Sequence, residues 1–377
     1  MSILLTTAVV LLVFVVIFQI AKASEYVSIL RGEERSRKQN NKVNGFLMIA
    51  FLILGLIGVF YCHEIMKGRI LGESASVEGE KVDEMLYITT VICGIVFFIT
   101  QILLFWFSYK YQEKENQKVF FFPHNNKLEV VWTVIPAIAL SVLVVIGLRN
   151  WFIFTGDAPK NALVVEITGK QFNWIIRYPG KDNEFGKKYF RNIDDANNSL
   201  GLIWADNKDF NQRADPATFD DIVDNSGTMH VVKNRPVKLV IYSRDVIHDV
   251  GLSHFRMKMD AVPGTPTTLW FTPKFTTAEM KEKTNNTNFE YEISCDQMCG
   301  NAHFSMKGII KVVTQQEYDA WMASQKAYYL TAFPEKDPNA KPATPSTPTA
   351  PATGDSTKGA TAATKSISQS AATKTLH

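Results

Sequence analysis

Cysteine is scarce in this 377-residue chain. There are four, too few to staple a polypeptide of this length with disulfides. Charge of one sign is scarce as well: the formal net charge is +3, which supplies no field of the kind that gathers nucleic acid, and no nucleic-acid partner is expected. No Cys-x-x-Cys-His occurs, so this sequence attaches no c-type haem. Charge is missing altogether from four stretches of the first 150 residues, 3–20, 46–62, 86–107 and 130–148. The mean hydropathy of −0.03 therefore averages an apolar first third with a polar remainder.

Each uncharged stretch has about the length that crosses a bilayer, with 46–62 near the lower limit of roughly 17 residues. Four in succession without a polar face read as membrane spans rather than as buried helices. Cys62 and Cys93, in or at the edge of these spans, read as small apolar residues. Lys and Arg set the orientation. Residues 21–45 carry Lys22, Arg31, Arg35, Arg37, Lys38 and Lys42, and residues 108–129 carry Lys110, Lys114, Lys118 and Lys127. The connection between, 63–85, has Lys67, Arg69 and Lys81 against six acids. Both basic connections are expected in the cytoplasm, leaving the N-terminus and everything after residue 150 outside. Ala21-Lys22-Ala23 resembles a signal-peptidase site. Cleavage there would leave three spans and strand the C-terminal domain inside, so a retained first span is expected.

After residue 150 the period changes from helical to alternating. Residues 162–168, 172–178, 237–243, 267–271, 289–294 and 308–313 read as short strands between Gly, Pro and Asn turns, which predicts a β-sandwich or small barrel. Residues 315–329 predict a short closing helix, and beyond Pro334 a Pro, Thr, Ala, Ser and Lys composition predicts a disordered tail.

Between the last two strands lies Cys295-Asp296-Gln297-Met298-Cys299-Gly300-Asn301-Ala302-His303-Phe304-Ser305-Met306. A second histidine, His248, follows Ser243-Arg244-Asp245-Val246-Ile247. A disulfide between Cys295 and Cys299 would explain neither His303 nor Met306. Zinc takes Cys/His sets but rarely a thioether. Copper suits all of these donors. A mononuclear blue-copper site needs one cysteine, so the second thiolate suggests two coppers bridged by both sulfurs.

The run Cys-x-x-x-Cys-x-x-x-His-x-x-Met resembles the binuclear copper (CuA) loop of the cytochrome c oxidase subunit II family. Asp245-Val246-Ile247-His248 with Asp260-Ala261-Val262-Pro263-Gly264, Leu128–Pro136 and Gly169-Lys170-Gln171-Phe172-Asn173-Trp174 resemble its other signatures. The resemblance covers 86 to about 330. It implies a helix hairpin over 86–150 followed by an all-β cupredoxin-like Greek-key domain over 151–330. Residues 1–62 are then two added spans, 63–85 an external acidic loop and 331–377 a tail. It also implies that Cys295 and Cys299 are bridging thiolates, His248 and His303 each cap one copper, Met306 is a weak ligand, and the Gln297 backbone carbonyl is another. The family often has glutamate at Gln297, whose carboxylate helps bind magnesium; a neutral amide argues against that contact. Glu129 aligns with the glutamate at the mouth of a proton-uptake path. Phe172 stands where the family typically has the tryptophan that faces the electron donor, with Trp174 two positions on.

The implied role is to take single electrons from a cytochrome c and pass them to the haem-copper catalytic subunit that reduces O2. The implied place is the inner membrane of a bacterium, with the copper domain on the periplasmic side. The added spans would meet lipid or another subunit. A copper subunit of a related nitric oxide reductase and a membrane-bound copper-binding protein are the alternatives. His63, His124, His230 and His254 are expected to be surface or hydrogen-bonded histidines. Eight aspartates between 192 and 229 against Lys208 and Arg213 read first as a solvated acidic loop, with recruitment of a cationic cytochrome as the alternative role.

Overall fold

A computed structural model describes residues 2–67, 69, 72–114, 118 and 120–338, leaving aside the side chains of 2–6, 10, 28, 31 and 33. Beyond residue 338 the expected tail lies outside the described residues, while 331 and 332 still belong to a helix. Four long helices come first: α1 (Ser2–Arg31), α2 (Glu33–Met66), α3 (Val77–Lys110) and α4 (Asn126–Thr155). All four are long and apolar enough to cross a membrane. At about 1.5 Å per residue, α3 and α4 are longer than a hydrocarbon core of about 30 Å, so their ends project beyond it.

Two connections differ from expectation. The basic connection over 21–45 is helical, and α1 runs into α2 with only Gly32 between them. Lys, Arg, Glu and Gln are good helix formers, so polarity alone does not end a helix. Gly32 does, at φ +84° with open space around it. The acidic loop expected over 63–85 is already helix from Val77. Ser76 caps that helix, its Oγ accepting from the Gly79 N–H at 3.0 Å, and Glu78 and Glu80 sit in the first turn, where the helix dipole favours carboxylates.

The β-domain follows: β1 (Leu163–Lys170), β2 (Asn173–Tyr178), β3 (Ile222–Asp224), β4 (Thr228–Val232), β5 (Val237–Ser243), β6 (His248–Leu252), β7 (Met257–Ala261), β8 (Thr267–Phe271), β9 (Tyr291–Cys295) and β10 (Lys307–Val313). They form two five-stranded sheets, β3-β2-β1-β5-β8 and β4-β10-β9-β6-β7. Val165, Ile167, Leu239 and Ile241 from the first sheet share one buried core with Met229, Val231, Ile293 and Ile310 from the second, which makes the domain a sandwich. Four strands, β3, β4, β6 and β7, lie outside the six expected. They hold His230, His248, Asp249, Gly251 and Lys258, which dilute the alternation of apolar residues.

The helices are joined to the sandwich by a hydrogen-bonded clasp. Ala75 N–H donates to His254 O at 2.8 Å, Val77 N–H to Thr272 O at 3.1 Å, and Lys274 N–H to Ala75 O at 2.8 Å. Ser76 Oγ donates to Phe255 O at 2.7 Å. The buried Glu78 carboxylate accepts from the Thr272 N–H at 2.7 Å, and Arg256 Nε reaches Asp83 Oδ1 at 2.7 Å. A Cβ on Gly79 would stand 2.5 Å from Phe255 O, so this approach needs glycine.

On the far side of the sandwich, the segment between β2 and β3 is tied down by a buried ion network. Arg177, 1% exposed, meets Asp221 at 2.5 Å and Glu166 at 3.3 Å, and Lys188 reaches Glu166 at 2.7 Å. Burial pushes the Asp221 carboxyl up to about 6 against the pull of Arg177. Its unfolded value is about 3.8, so between pH 4 and 6 the folded protein keeps a proton that the unfolded chain has released. The stability from that proton is complete below about pH 4 and lost as pH rises through 6. Asp221→Asn should flatten this limb in thermal unfolding of the detergent-solubilised protein between pH 4 and 7; an equally steep limb in the variant would assign it to another group.

Candidate metal centre

The backbone pairing of β6 with β9, Val250 opposite Cys295 and Gly251 opposite Ser294, brings together residues 47 positions apart. His248 opens β6 and Cys295 closes β9. The loop from Cys295 then turns back into β10 at Lys307, and Met306 is the residue just before that strand. His248, Cys295, Cys299 and Met306 are buried, at 0%, 7%, 4% and 1% exposure, and His303 is half-buried.

Cys295 Sγ lies 3.7 Å from Cys299 Sγ, far beyond the roughly 2.05 Å of a disulfide; both thiols are free. Each thiol has its own histidine. Cys295 Sγ is 3.7 Å from His248 Nδ1 and 3.2 Å from the Gln297 carbonyl oxygen. Cys299 Sγ is 3.6 Å from His303 Nδ1 and 3.8 Å from Met306 Sδ. Two donors held at about 2.0–2.3 Å by one ion at a near-tetrahedral angle stand roughly 3.3–3.8 Å apart. His248, Cys295 and Cys299 offer ligand atoms that all lie within 4.8 Å of one another. Burial first, and then the neighbouring Cys295 thiol, push the Cys299 thiol up to about 11. A thiol kept as dry as Cys299 stays protonated by itself, whereas a bound cation reverses that preference. The donor set therefore fits a soft first-row ion, and its two histidine-bearing ends fit a pair.

The residues around the donors set their orientation. Asp245 Oδ1 lies 2.8 Å from His248 Nε2, and its carboxylate also accepts the backbone N–H of Gln171 and Val246, each at 2.7 Å. Burial acts to raise the Asp245 carboxyl, but these donors outweigh it and hold it below the usual range. Gln171 Nε2 donates to Cys299 O at 2.5 Å. A Cβ on Gly169 would come within 2.8 Å of the His248 ring, and Gly300, at φ +136°, lies where a Cβ would meet Gln171 and Phe172. Asp245 and Gln171 are partners that reasoning from the donor spacing missed. The signal was the Asp-x-x-His spacing, which places a carboxylate on the ring nitrogen that a metal leaves free.

The remaining candidates fall in different places. Trp174 is fully buried, edge-on to His248 with ring centroids 5.9 Å apart. Phe172 is half-buried in the turn between β1 and β2, and Met298 and Phe304 stand exposed on the loop from Cys295 to Met306 at 76% and 81%. Glu129, in the first turn of α4, accepts the Asn125 N–H at 3.3 Å and so helps cap the helix. The Gln297 side chain is exposed while its carbonyl turns inward. His254 packs edge-on to Phe289 and Tyr291, and His230 stacks on Trp321 at 4.1 Å. In the acidic segment, seven of the eight aspartates already hold turns or ion pairs: Asp194, Asp195, Asp206, Asp215, Asp220, Asp221 and Asp224.

A β-sandwich carrying a buried Cys2His2Met cluster, mounted on apolar helices, defines a membrane-anchored cupredoxin-like protein. The family model for the transmembrane domain of cytochrome c oxidase subunit II matches residues 66–150, and that for its periplasmic domain matches 163–313. The chain is 32% identical to the alternative cytochrome c oxidase subunit 2 of Bradyrhizobium diazoefficiens over 247 residues, 66% of this chain and 81% of that one. It is 26% identical to cytochrome c oxidase subunit 2 of Cereibacter sphaeroides over 236 residues, 63% and 73% of the two chains. The solved periplasmic domain of subunit II of cytochrome oxidase from Bradyrhizobium japonicum aligns at 25% identity over 44% of this chain and 95% of that one, with a TM-score of 0.29. The chain belongs to the cytochrome c oxidase subunit II family, whose members are parts of an oxidoreductase; α1 and most of α2 precede the matched region.

Because Asp245 orients His248, Asp245→Asn should weaken copper binding by about 10–100-fold in competition with a chelator, with the fold intact by circular dichroism. Unchanged affinity would show that the ring is held by its packing alone.

Proposed function

We propose that this chain is the copper-bearing electron-transfer subunit of a terminal oxidase, taking single electrons from a cytochrome c and handing them to a haem-bearing catalytic subunit that reduces O2. The observation that carries this reading is the pair of thiols 3.7 Å apart, each with its own histidine nitrogen at 3.6–3.7 Å. Cys295, Cys299, His248, His303, Met306 and the Gln297 carbonyl would hold a binuclear copper centre, which supplies a one-electron couple when bound. The chain's own contribution is rigidity. Cys295 is fixed by strand pairing, His248 by Asp245 and Trp174, and Met306 by β10. A donor set that cannot rearrange keeps the cost of changing oxidation state low. Gln297 presents no carboxylate at the position linked to magnesium, so no magnesium contact is proposed.

Electron acceptance is proposed at the rim formed by Phe172, Met298 and Phe304, because Trp174 is sealed beneath His248. With most aspartates of 192–229 engaged in turns, the attraction of a cationic donor would rest on the summed field of that face rather than on free carboxylates. The sandwich is proposed to lie on the periplasmic side of a bacterial inner membrane. In support, the first turn of α3 is clasped to the residues flanking β8, the end of α4 also meets β8, and the lysines 38, 42, 110 and 114 gather at the opposite end of the bundle. Glu129 belongs to that opposite end as well, half-buried in the first turn of α4, and is proposed to feed protons toward the catalytic subunit.

Reconstituting the full chain with copper should give two coppers per chain sharing one unpaired electron, read by metal analysis and electron paramagnetic resonance. One copper with an ordinary mononuclear spectrum, or zinc alone, would overturn the assignment. Glu129→Gln in the assembled oxidase should slow turnover several-fold without changing copper content; full turnover would leave Glu129 as a helix cap only.

A further inference from the structure

The turn between β6 and β7 holds a residue that its backbone conformation does not favour. Leu252 pairs with Met257, so only four residues reverse the chain, and three of them form a single helical turn, Ser253–Phe255. Arg256 completes the reversal at φ +59°, where a Cβ is crowded and glycine is at ease. Among the described residues, five non-glycine positions have positive φ, and the other four are Asn183, Asn211, Asn234 and Asn285. Asparagine tolerates this region because its short amide bonds to nearby backbone. Arginine has no such aid, so its presence points to a task of the side chain.

The guanidinium has one. Its Nε donates to Asp83 Oδ1 on α3 at 2.7 Å, its Nη2 to Gly72 O at 2.5 Å and its Nη1 back to Ser253 O at 3.0 Å. The side chain is 14% exposed, so solvent screens this pair less than it screens an open surface ion pair. Three separate acceptors suit a planar fork and not a point charge. The two residues before Arg256 hold the same segment: His254 O accepts from the Ala75 N–H at 2.8 Å and Phe255 O from Ser76 Oγ at 2.7 Å. Three consecutive residues of one turn thus grip 72–83. The Phe255 ring roots the turn in the sandwich, fully buried with centroids 4.8 Å from Phe271 and 4.7 Å from Tyr291.

From that turn a straight element leads to the metal site. β6 runs back five residues to His248, about 17 Å at roughly 3.4 Å per residue. It lies between β9 and β7 in its sheet, and pairing on both edges keeps it from sliding. A tilt of the turn against α3 would therefore be carried to His248. We propose that Arg256 is a positioning residue for electron transfer: by holding the β6–β7 turn to Asp83 and Gly72, it fixes the orientation of the His248 end of the site relative to the membrane helices. Glycine or asparagine would turn the chain more easily, and arginine stands there because its grip on α3 offsets the strain. The proposal rests on the electron-transfer reading of the site.

The test compares variants of the full chain, first in detergent without copper and then in the assembled oxidase. Arg256→Asn releases the grip and relieves the backbone, so the thermal unfolding midpoint should change little. Hydrogen exchange of the Ala75 amide, which reports the grip whether or not metal binds, should become about tenfold faster. In the oxidase, stopped-flow spectroscopy should show electron passage to the haem-bearing partner slowed several-fold, with the KM for the cytochrome unchanged. Arg256→Asp combined with Asp83→Arg restores the pair with opposite polarity and puts at 256 a residue that accepts left-handed backbone. Exchange and electron passage should both recover in that double variant. A large fall in the midpoint without faster exchange would make Arg256 an ordinary stabilising residue and overturn the proposal. Faster exchange with unaltered electron passage would overturn it too, as would a double variant no better than Arg256→Asn. Failure of the parent chain itself to pass electrons would instead sink the electron-transfer reading, and the exchange measurement would still decide the grip.

Discussion

Everything chemical in this protein depends on one short stretch of backbone pairing, β6 against β9. Val250 faces Cys295 and Gly251 faces Ser294, and from this register His248 and Cys295 become neighbours. Shift the register by one residue and Cys295 would turn to the other face of its sheet. The thiol would leave the core and the histidine would lose it. The remaining donors then follow from chain geometry, since Cys299, His303 and Met306 belong to one loop that must return to start β10. Around them the protein supplies dryness and fixed orientation: Asp245 on the far nitrogen of His248, Trp174 beneath the ring, and Gln171 on the Cys299 carbonyl.

The sandwich and the donor set were legible in the sequence for different reasons. The donors could be read because soft ligands at tight spacing in a cysteine-poor chain have few other uses. The membrane helices could be read because lipid demands long uncharged runs. Their ends could not, because a helix ends where its hydrogen bonding ends and not where its apolar residues do. The stretch 21–45 is polar and helical, and α3 begins nine residues before its apolar run, at the Ser76 cap. Strand β6 was hidden because His248, Asp249 and Gly251 belong to it; the polar residues that make the site also break the periodic pattern. Asp221 escaped notice for a related reason. As one aspartate among eight it looks like solvated charge, and only the fold reveals that Arg177 lies buried beside it.

The acidic segment shows how composition can mislead about purpose. Its aspartates accept backbone N–H groups in turns and pair with Arg177, Arg244 and Lys170. Such residues build a loop that packs a small core of its own around Leu200, Leu202 and Tyr328. Net negative charge on that face is a by-product of turn construction, available to a partner without having to be dedicated to one.

The clasp between Ser76, Glu78 and Thr272, the residue just past β8, has a consequence for distance. Tunnelling rates fall exponentially as two redox centres move apart, so a metal domain swinging on a flexible stalk would sample fast and slow positions in turn. Here the stalk is a helix whose first turn is hydrogen-bonded into the domain it supports. The bilayer therefore acts as a ruler: by gripping α3 it sets the standoff of the metal site from the membrane plane, and it sets it once, when the chain folds.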